Sequence, residues 1–418
     1  MHGGTDTPTL RRSRQRKARA ILSSDLKGTA RLAIDATLAV TDIIETMHRN
    51  ILSLPWMPTD NAPARGLTAF VYRNIRGVTG WIGNCADFAI ERTQPLLDRI
   101  GAQAPGPARD ALVAALNGII GDHLAASGNP LATSMQFRRD GCSARVAEGG
   151  RVLLMIHGLC MHEGQWKRRG HDHGNALARD LGFRPAWLRY NTGLHVSANG
   201  RELADRLERW IDAAPRPVTE LAIVGYSLGG LVAHSACHYA ALAGHRWPRL
   251  LKDIVFLGTP HHGAPLERGG HWVDLALGVS RYSAPLAALG RMRSAGITDL
   301  RHGSLRDEDW QSATCAHGDA IAGGSVSLPR GARVAAIAAS TGKRTGDLGD
   351  RLLGDGLVPV ASALGRHADP ARALAIAADR QWVGYGMNHL DLLDHADVYA
   401  KLRDFLAPSR RKARIATR

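Results

Sequence analysis

Leu221-Ala-Ile-Val-Gly225-Tyr-Ser227-Leu-Gly229-Gly230-Leu-Val-Ala is the stretch whose reading decides the fold. An apolar run of strand length enters G-x-S-x-G, and a helix-forming sequence leaves it, which is the pattern of a strand-to-helix nucleophile elbow. Such a turn holds its serine in a strained backbone conformation. Gly225 and Gly229 are needed because larger side chains would collide with the neighbouring strand and helix. The Ser227 hydroxyl is thereby expected at a helix N-terminus, where free N–H groups and the dipole favour developing negative charge.

A serine becomes nucleophilic when a base takes its proton and an acid orients that base. In an elbow of this kind the partners follow the serine in the order Asp or Glu, then His. His389, in Gly386-Met-Asn-His389-Leu-Asp391, falls in a turn before the last helical pattern and is the candidate base. Asp355, in Leu353-Gly-Asp355-Gly-Leu-Val-Pro, falls in a glycine-flanked turn after an apolar strand and is the candidate acid, with Asp347 and Asp350 as competitors. The oxyanion needs two backbone donors. One is expected from Leu228, directly after the nucleophile. The other is expected from Leu159, because Arg151-Val-Leu-Leu-Met-Ile-His157-Gly158-Leu159 reads as a strand ending in a loop, with Gly158 small where backbone meets substrate.

Working outward, short apolar runs alternate with helical stretches from Gly128 onward, the texture of a mostly parallel sheet covered on both faces. Strands are expected near 133–137, 152–156, 185–190, 221–224, 254–257 and 334–339, and helices near 174–181, 200–213, 228–243 and 392–405. Upstream, Leu32, Ala36, Val40, Ile43, Met47 and Ile51 form one helical stripe, Leu67, Val71, Ile75, Val78 and Ile82 a second, and Leu112, Leu116, Ile119 and Ile120 a third. The expected organisation is a basic tail over 1–24, a helical segment over 25–128, a sheet domain over 129–407 and a second basic tail over 408–418. A mixed insertion at about 264–330 reads as a lid or as a structural flap.

The 418 residues carry a formal charge of +15, much of it at the two ends. Arg11, Arg12, Arg14, Arg16, Lys17 and Arg19 form one cluster, and Arg410, Arg411, Lys412, Arg414 and Arg418 the other. Peripheral contact with an acidic membrane surface is the partner these clusters suit, beside a purely solubilising role; no nucleic-acid partner is expected. The five cysteines, Cys85, Cys142, Cys160, Cys237 and Cys315, have neither disulfide nor zinc spacing, which fits a reducing, cytoplasmic setting. No run approaches a membrane span or a signal-peptide core.

Other motifs are weaker. His162-Glu163-Gly-Gln-Trp166 lacks the second histidine of the zinc-protease helix, and His171-Asp172-His173 and His261-His262 read as loop-packing residues. No nucleotide-binding glycine pattern is present, so no metal and no cofactor are expected.

HGL at 157–159, GYSLGG at 225–230, GTPHHGAP at 258–265, GDGLVP at 354–359 and NHLDLL at 388–393 together resemble the bacterial lipases and the GPI inositol-deacylase-like branch of the α/β-hydrolase superfamily. The resemblance, over about 133–406, implies an α/β-hydrolase fold and cleavage of a carboxylic ester of a lipid-like, apolar acyl substrate through an acyl-enzyme. It supports Ser227, Asp355 and His389 as the triad. In some of those lipases the Asp of an NHLD-type motif helps bind calcium, which would here be Asp391; no second ligand motif accompanies it. An acyltransferase using the same triad, or a non-catalytic lipid-binding adaptor, are the alternatives.

Overall fold

The computed structural model describes residue 28 and residues 107–264, 294–311, 326–327, 330–344 and 354–408. The chain forms two compact units, Met1–Gly106 with Leu124–Ala132, and Pro107–His123 with Thr133–Arg418. In the first, Asn129 organises a turn by accepting the Leu131 N–H at 2.9 Å. The two upstream helical stripes and both basic tails lie outside the described residues, as does most of the 264–330 insertion.

The second unit is built on eight strands: β1 Gln136–Arg139, β2 Cys142–Ser143, β3 Gly150–Ile156, β4 Arg184–Arg189, β5 Val218–Tyr226, β6 Leu251–Leu257, β7 Arg333–Ser340 and β8 Gln381–Tyr385. Their order across the sheet is β2-β1-β4-β3-β5-β6-β7-β8. From β4 to β8 all neighbours are parallel, while β1 runs antiparallel to both β2 and β4. This is the α/β-hydrolase fold. Among the described residues the helices are α1 Pro107–Ala126, α2 His173–Leu181, α3 Val196–Asp212, α4 Leu228–Leu242, α5 Ala295–His302, α6 Asp307–Gln311, α7 Val360–Ala363 and α8 Ala396–Leu406.

The central strands are apolar at successive positions because both faces are covered. Leu153, Met155, Ala222, Val224, Val255, Leu257 and Ile337 form one buried layer with Leu177 of α2 and Val398, Leu402 and Phe405 of α8. Alternate residues project to the opposite face. There the His234 ring of α4 lies 6.2 Å from that of Phe256, and α3 approaches α4 so closely that a Cβ on Gly200 would be 2.2 Å from Ser235 Oγ.

The path of the chain positions the site. From β3 it moves outward to β4, then returns across β3 to β5, so β3 and β5 flank the point where the winding reverses. In open α/β sheets the crevice beyond the strand ends at such a point is where ligands bind.

Several expected boundaries shift. The first strand begins at Gln136 rather than 133, and α3 at Val196 rather than 200. The last helix begins at Ala396 rather than 392, because Asn388 and Asp391 form a capping box that winds His389–Leu393 as a separate tight turn. Strands β2 and β8 were not expected at all. β2 has only two residues, both exposed, and four of the five in β8 are half-buried, so neither shows the apolar run or the alternation that marks a strand. Within the insertion, the described residues form α5 and α6.

Candidate active site

Ser227 sits between β5 and α4 with φ 54° and ψ −123°, a conformation that side-chain-bearing residues rarely adopt. Its N–H donates to the Leu257 carbonyl at 2.8 Å, locking the turn to β6. Gly229 permits the approach of α4 to β3, since a Cβ there would lie 2.3 Å from the Ile156 oxygen and 2.5 Å from the His157 oxygen. Gly225 meets α4 in the same way, 2.6 Å from Gly230 Cα. The Ser227 hydroxyl is buried and has no hydrogen-bond partner.

Asp355 and His389 come together although 33 residues separate them. Asp355 Oδ2 is 2.6 Å from His389 Nδ1, and Asp355 Oδ1 accepts from the N–H groups of Leu357 at 3.0 Å and Val358 at 2.8 Å. Both side chains are buried. With the carboxylate accepting at Nδ1, the neutral imidazole carries its proton there and presents Nε2 as the basic nitrogen.

This pair lies beside the elbow. The Tyr226 hydroxyl, from the residue preceding the serine, donates to the His389 carbonyl at 3.1 Å, and the two rings are 4.9 Å apart. A Cβ on Gly258, next to the Leu257 that anchors the Ser227 amide, would lie 2.9 Å from His389 Cε1. Neither Tyr226 nor Gly258 was singled out in the sequence. The first is the variable position before the serine; the second sits in the GTPHHGAP stretch, where a glycine ending a strand was a readable signal. Burial holds the Tyr226 phenol well above its usual pKa, so it remains a donor.

Leu228 is the first residue of α4, where backbone N–H groups have no intrahelical acceptor. Gly158 and Leu159 follow β3 next to the elbow, and a Cβ on Gly158 would be 3.1 Å from that of Ser227. The loop is fastened at His157, whose carbonyl accepts from Tyr190 Oη at 2.7 Å and whose ring stacks on Tyr190 at 4.6 Å. Burial lowers the His157 pKa to about 4; the neutral ring donates Nδ1–H to the Gly158 carbonyl at 3.0 Å.

The remaining sequence candidates serve the scaffold. Asp391 accepts the Asn388 N–H at 3.0 Å and faces Arg169 Nη1 at 3.6 Å, so a guanidinium occupies its outer side. His171 and His173 hydrogen-bond one another at 2.8 Å, and His173 bonds the Leu392 carbonyl at 3.0 Å. His162 caps the turn Glu163–Trp166 by accepting from Gly164. His261 is buried on the Phe256 ring at 4.5 Å, and the backbone N–H of His262 donates to Ser362 Oγ at 3.1 Å. Burial pushes the Cys160 thiol up to about 12, which keeps it protonated. Among the described residues no cluster of three or more metal-ligating side chains occurs, and no helix is long and apolar enough to cross a membrane.

Residues 147–322 match the family model described as a PGAP1-like alpha/beta domain. Among solved structures, the mature form of a Bacillus licheniformis lipase is 18% identical, with 64% of this chain and 97% of that chain covered and a TM-score of 0.38. A lipase B of Aspergillus fumigatus is 11% identical over 65% of this chain and 55% of its own, with a TM-score of 0.37. An esterase from Pyrobaculum calidifontis is 16% identical over 75% and 99%, at 0.36. The chain thus spans nearly all of two of these relatives and about half of the other. No curated protein matches the sequence. The sheet order and the elbow give this chain an α/β-hydrolase fold, in which residues 147–322 are similar to the PGAP1-like alpha/beta domain.

Proposed function

We propose that this protein is a serine hydrolase that cleaves carboxylic esters with apolar acyl groups. The reading is carried by a buried, unbonded Ser227 hydroxyl in a strained elbow, next to a Tyr226 that bonds His389, whose Nδ1 lies on the buried Asp355 carboxylate at 2.6 Å. A hydroxyl placed only for packing has no use for positive φ, and a structural His–Asp pair has no need of a neighbouring elbow.

In this mechanism Ser227 Oγ attacks the acyl carbon while His389 Nε2 takes its proton. Asp355 holds the imidazole in the tautomer that can accept that proton and stabilises the resulting cation. The oxyanion is held by the N–H groups of Leu228 and Leu159. His389 then protonates the leaving alcohol, and water, activated by the same imidazole, releases the acid from Ser227. In that second half His389 passes the water's proton back to Ser227 Oγ, so acylation and deacylation each leave the imidazole neutral and the full cycle restores the serine hydroxyl. The motif resemblance supports an apolar acyl chain, as do apolar stretches such as Trp272-Val-Asp-Leu-Ala-Leu within the mixed insertion, and the two basic terminal clusters support peripheral contact with acidic lipid.

A fluorophosphonate probe with a panel of esters from short to long acyl chains tests the proposal. Wild-type protein should be labelled and turn over at least one member, and Ser227→Ala should do neither. Equal turnover by Ser227→Ala would refute it.

A further inference from the structure

Helix α1 precedes the sheet and starts 40 residues before the segment that matches the family model. It nevertheless meets the loop that carries Leu159. A Cβ on Gly118 would lie 2.1 Å from Cys160 Sγ and 2.9 Å from both Cys160 Cα and N, so the helix presses against the backbone of the residue directly after Leu159. Cys160 itself has φ 58°, an unusual value for a residue with a side chain. Its N–H is held by Thr192 Oγ1 at 3.1 Å.

The helix is fixed in that place from several sides. Ser294 Oγ donates to the Gly118 carbonyl at 2.6 Å, and Asp122 Oδ2 accepts the Ala295 N–H at 2.9 Å. Asn191 Nδ2 donates to the Gly121 carbonyl at 2.8 Å, and Arg189 Nη2 reaches Asp110 Oδ2 at 3.0 Å. A glycine inside a helix costs about 1 kcal/mol relative to alanine. Here its bare Cα is the surface on which the strained loop rests.

We propose that Gly118 is a positioning residue: by admitting helix α1 onto the Cys160 backbone, it holds the Leu159 N–H where the oxyanion develops. The inference rests on the hydrolase reading above. It also makes the 107–123 stretch part of the catalytic apparatus rather than an appendage to it. Oxyanion donors act through placement, and displacement by a fraction of an ångström weakens them in the transition state more than in the bound substrate.

The test uses the full chain. Gly118→Ala should lower kcat about tenfold or more with KM within about twofold. Affinity for a trifluoromethyl ketone that mimics the tetrahedral adduct should fall by the same factor as kcat/KM, a readout that general loosening would not move in step. Amide hydrogen exchange should quicken in the 157–161 peptide and stay unchanged in α4. Should Gly118→Ala fail to fold, Ser294→Ala, which removes the bond to the Gly118 carbonyl, should show the same pattern at smaller size. Wild-type kcat together with wild-type exchange at 157–161 overturns the inference while leaving the hydrolase reading intact, and so does a loss of activity that only follows the unfolded fraction. A wild-type protein inert to esters and to fluorophosphonate sinks the hydrolase reading and with it the catalytic role given to Gly118.

Discussion

Asp355 and His389 are joined twice: the carboxylate meets the imidazole Nδ1 at 2.6 Å, and the His389 backbone N–H donates to the Asp355 carbonyl at 3.1 Å. The side-chain contact is therefore not an incidental meeting of two mobile groups. The main-chain bond sets the spacing between the two loops, and the side chains inherit it.

That double tie makes Asp355→Asn a test of charge and tautomer rather than of folding. The asparagine oxygen would take over the Leu357 and Val358 N–H groups, which turns its NH₂ toward His389 Nδ1. The ring must then place its proton on Nε2, the wrong nitrogen for accepting one from Ser227. The expected result is a fall in kcat of roughly 10²–10⁴-fold with a melting temperature near wild type, read by steady-state kinetics and calorimetry.

The strain at Ser227 separates catalysis from stability. Glycine tolerates φ 54° and ψ −123° at little cost, whereas alanine does not. Ser227→Gly should therefore be more stable than Ser227→Ala by about 1–3 kcal/mol, with both inactive, in urea titrations. Equal midpoints would show that the elbow stores no strain.

Gly229 is a matter of collision rather than of backbone freedom. An alanine Cβ would press on the carbonyl oxygens of both Ile156 and His157, and neither β3 nor the start of α4 can yield without disturbing the loop that carries Leu159. Gly229→Ala is expected to destabilise by ~3 kcal/mol or more and to lose most activity even where soluble. A soluble variant with normal turnover would contradict the packing described.

Acid should weaken the fold through its buried histidines. Burial lowers His157, His173 and His234 from 6.5 to about 4, and each neutral ring bonds a backbone carbonyl. Because the folded values lie below the unfolded one, their stability is fully present above pH 6.5 and is lost as pH falls toward 4. The loss should approach ~1.4 kcal/mol per pH unit for each ring. Asp172, Asp253 and Asp299, raised by burial, act in the opposite sense. Urea midpoints from pH 7.5 to 4.5 check this, and a flat profile would contradict it; His173→Gln should flatten the slope by one ring's share.

The elbow and the Asp355–His389 pair were readable because the chemistry expected of them constrains sequence locally. Gly225 and Gly229 answer to backbone collisions one turn away, and Asp355 and His389 follow strand-like and turn-like patterns in a fixed order. The β3 to β7 strands were readable for a different reason, since burial on both faces demands continuous apolar runs. β8 was not, because it lies at the sheet edge with Gln381 and Tyr385 only half-buried. Gly118 and Tyr226 escaped too. A glycine in a helix looks like a defect until the loop packed on it is known. A tyrosine before the serine looks like filler until its hydroxyl is found on the His389 carbonyl.

On the proposed assignment, the order of parts along the chain also sets when they become dangerous. The nucleophile and its flanking strands β3 to β6 are complete by residue 257, while the base waits at 389 behind β7 and β8. A nascent chain can thus raise its elbow long before anything can draw the proton from it. Reactivity arrives last, once the carboxyl-terminal strand has closed the sheet.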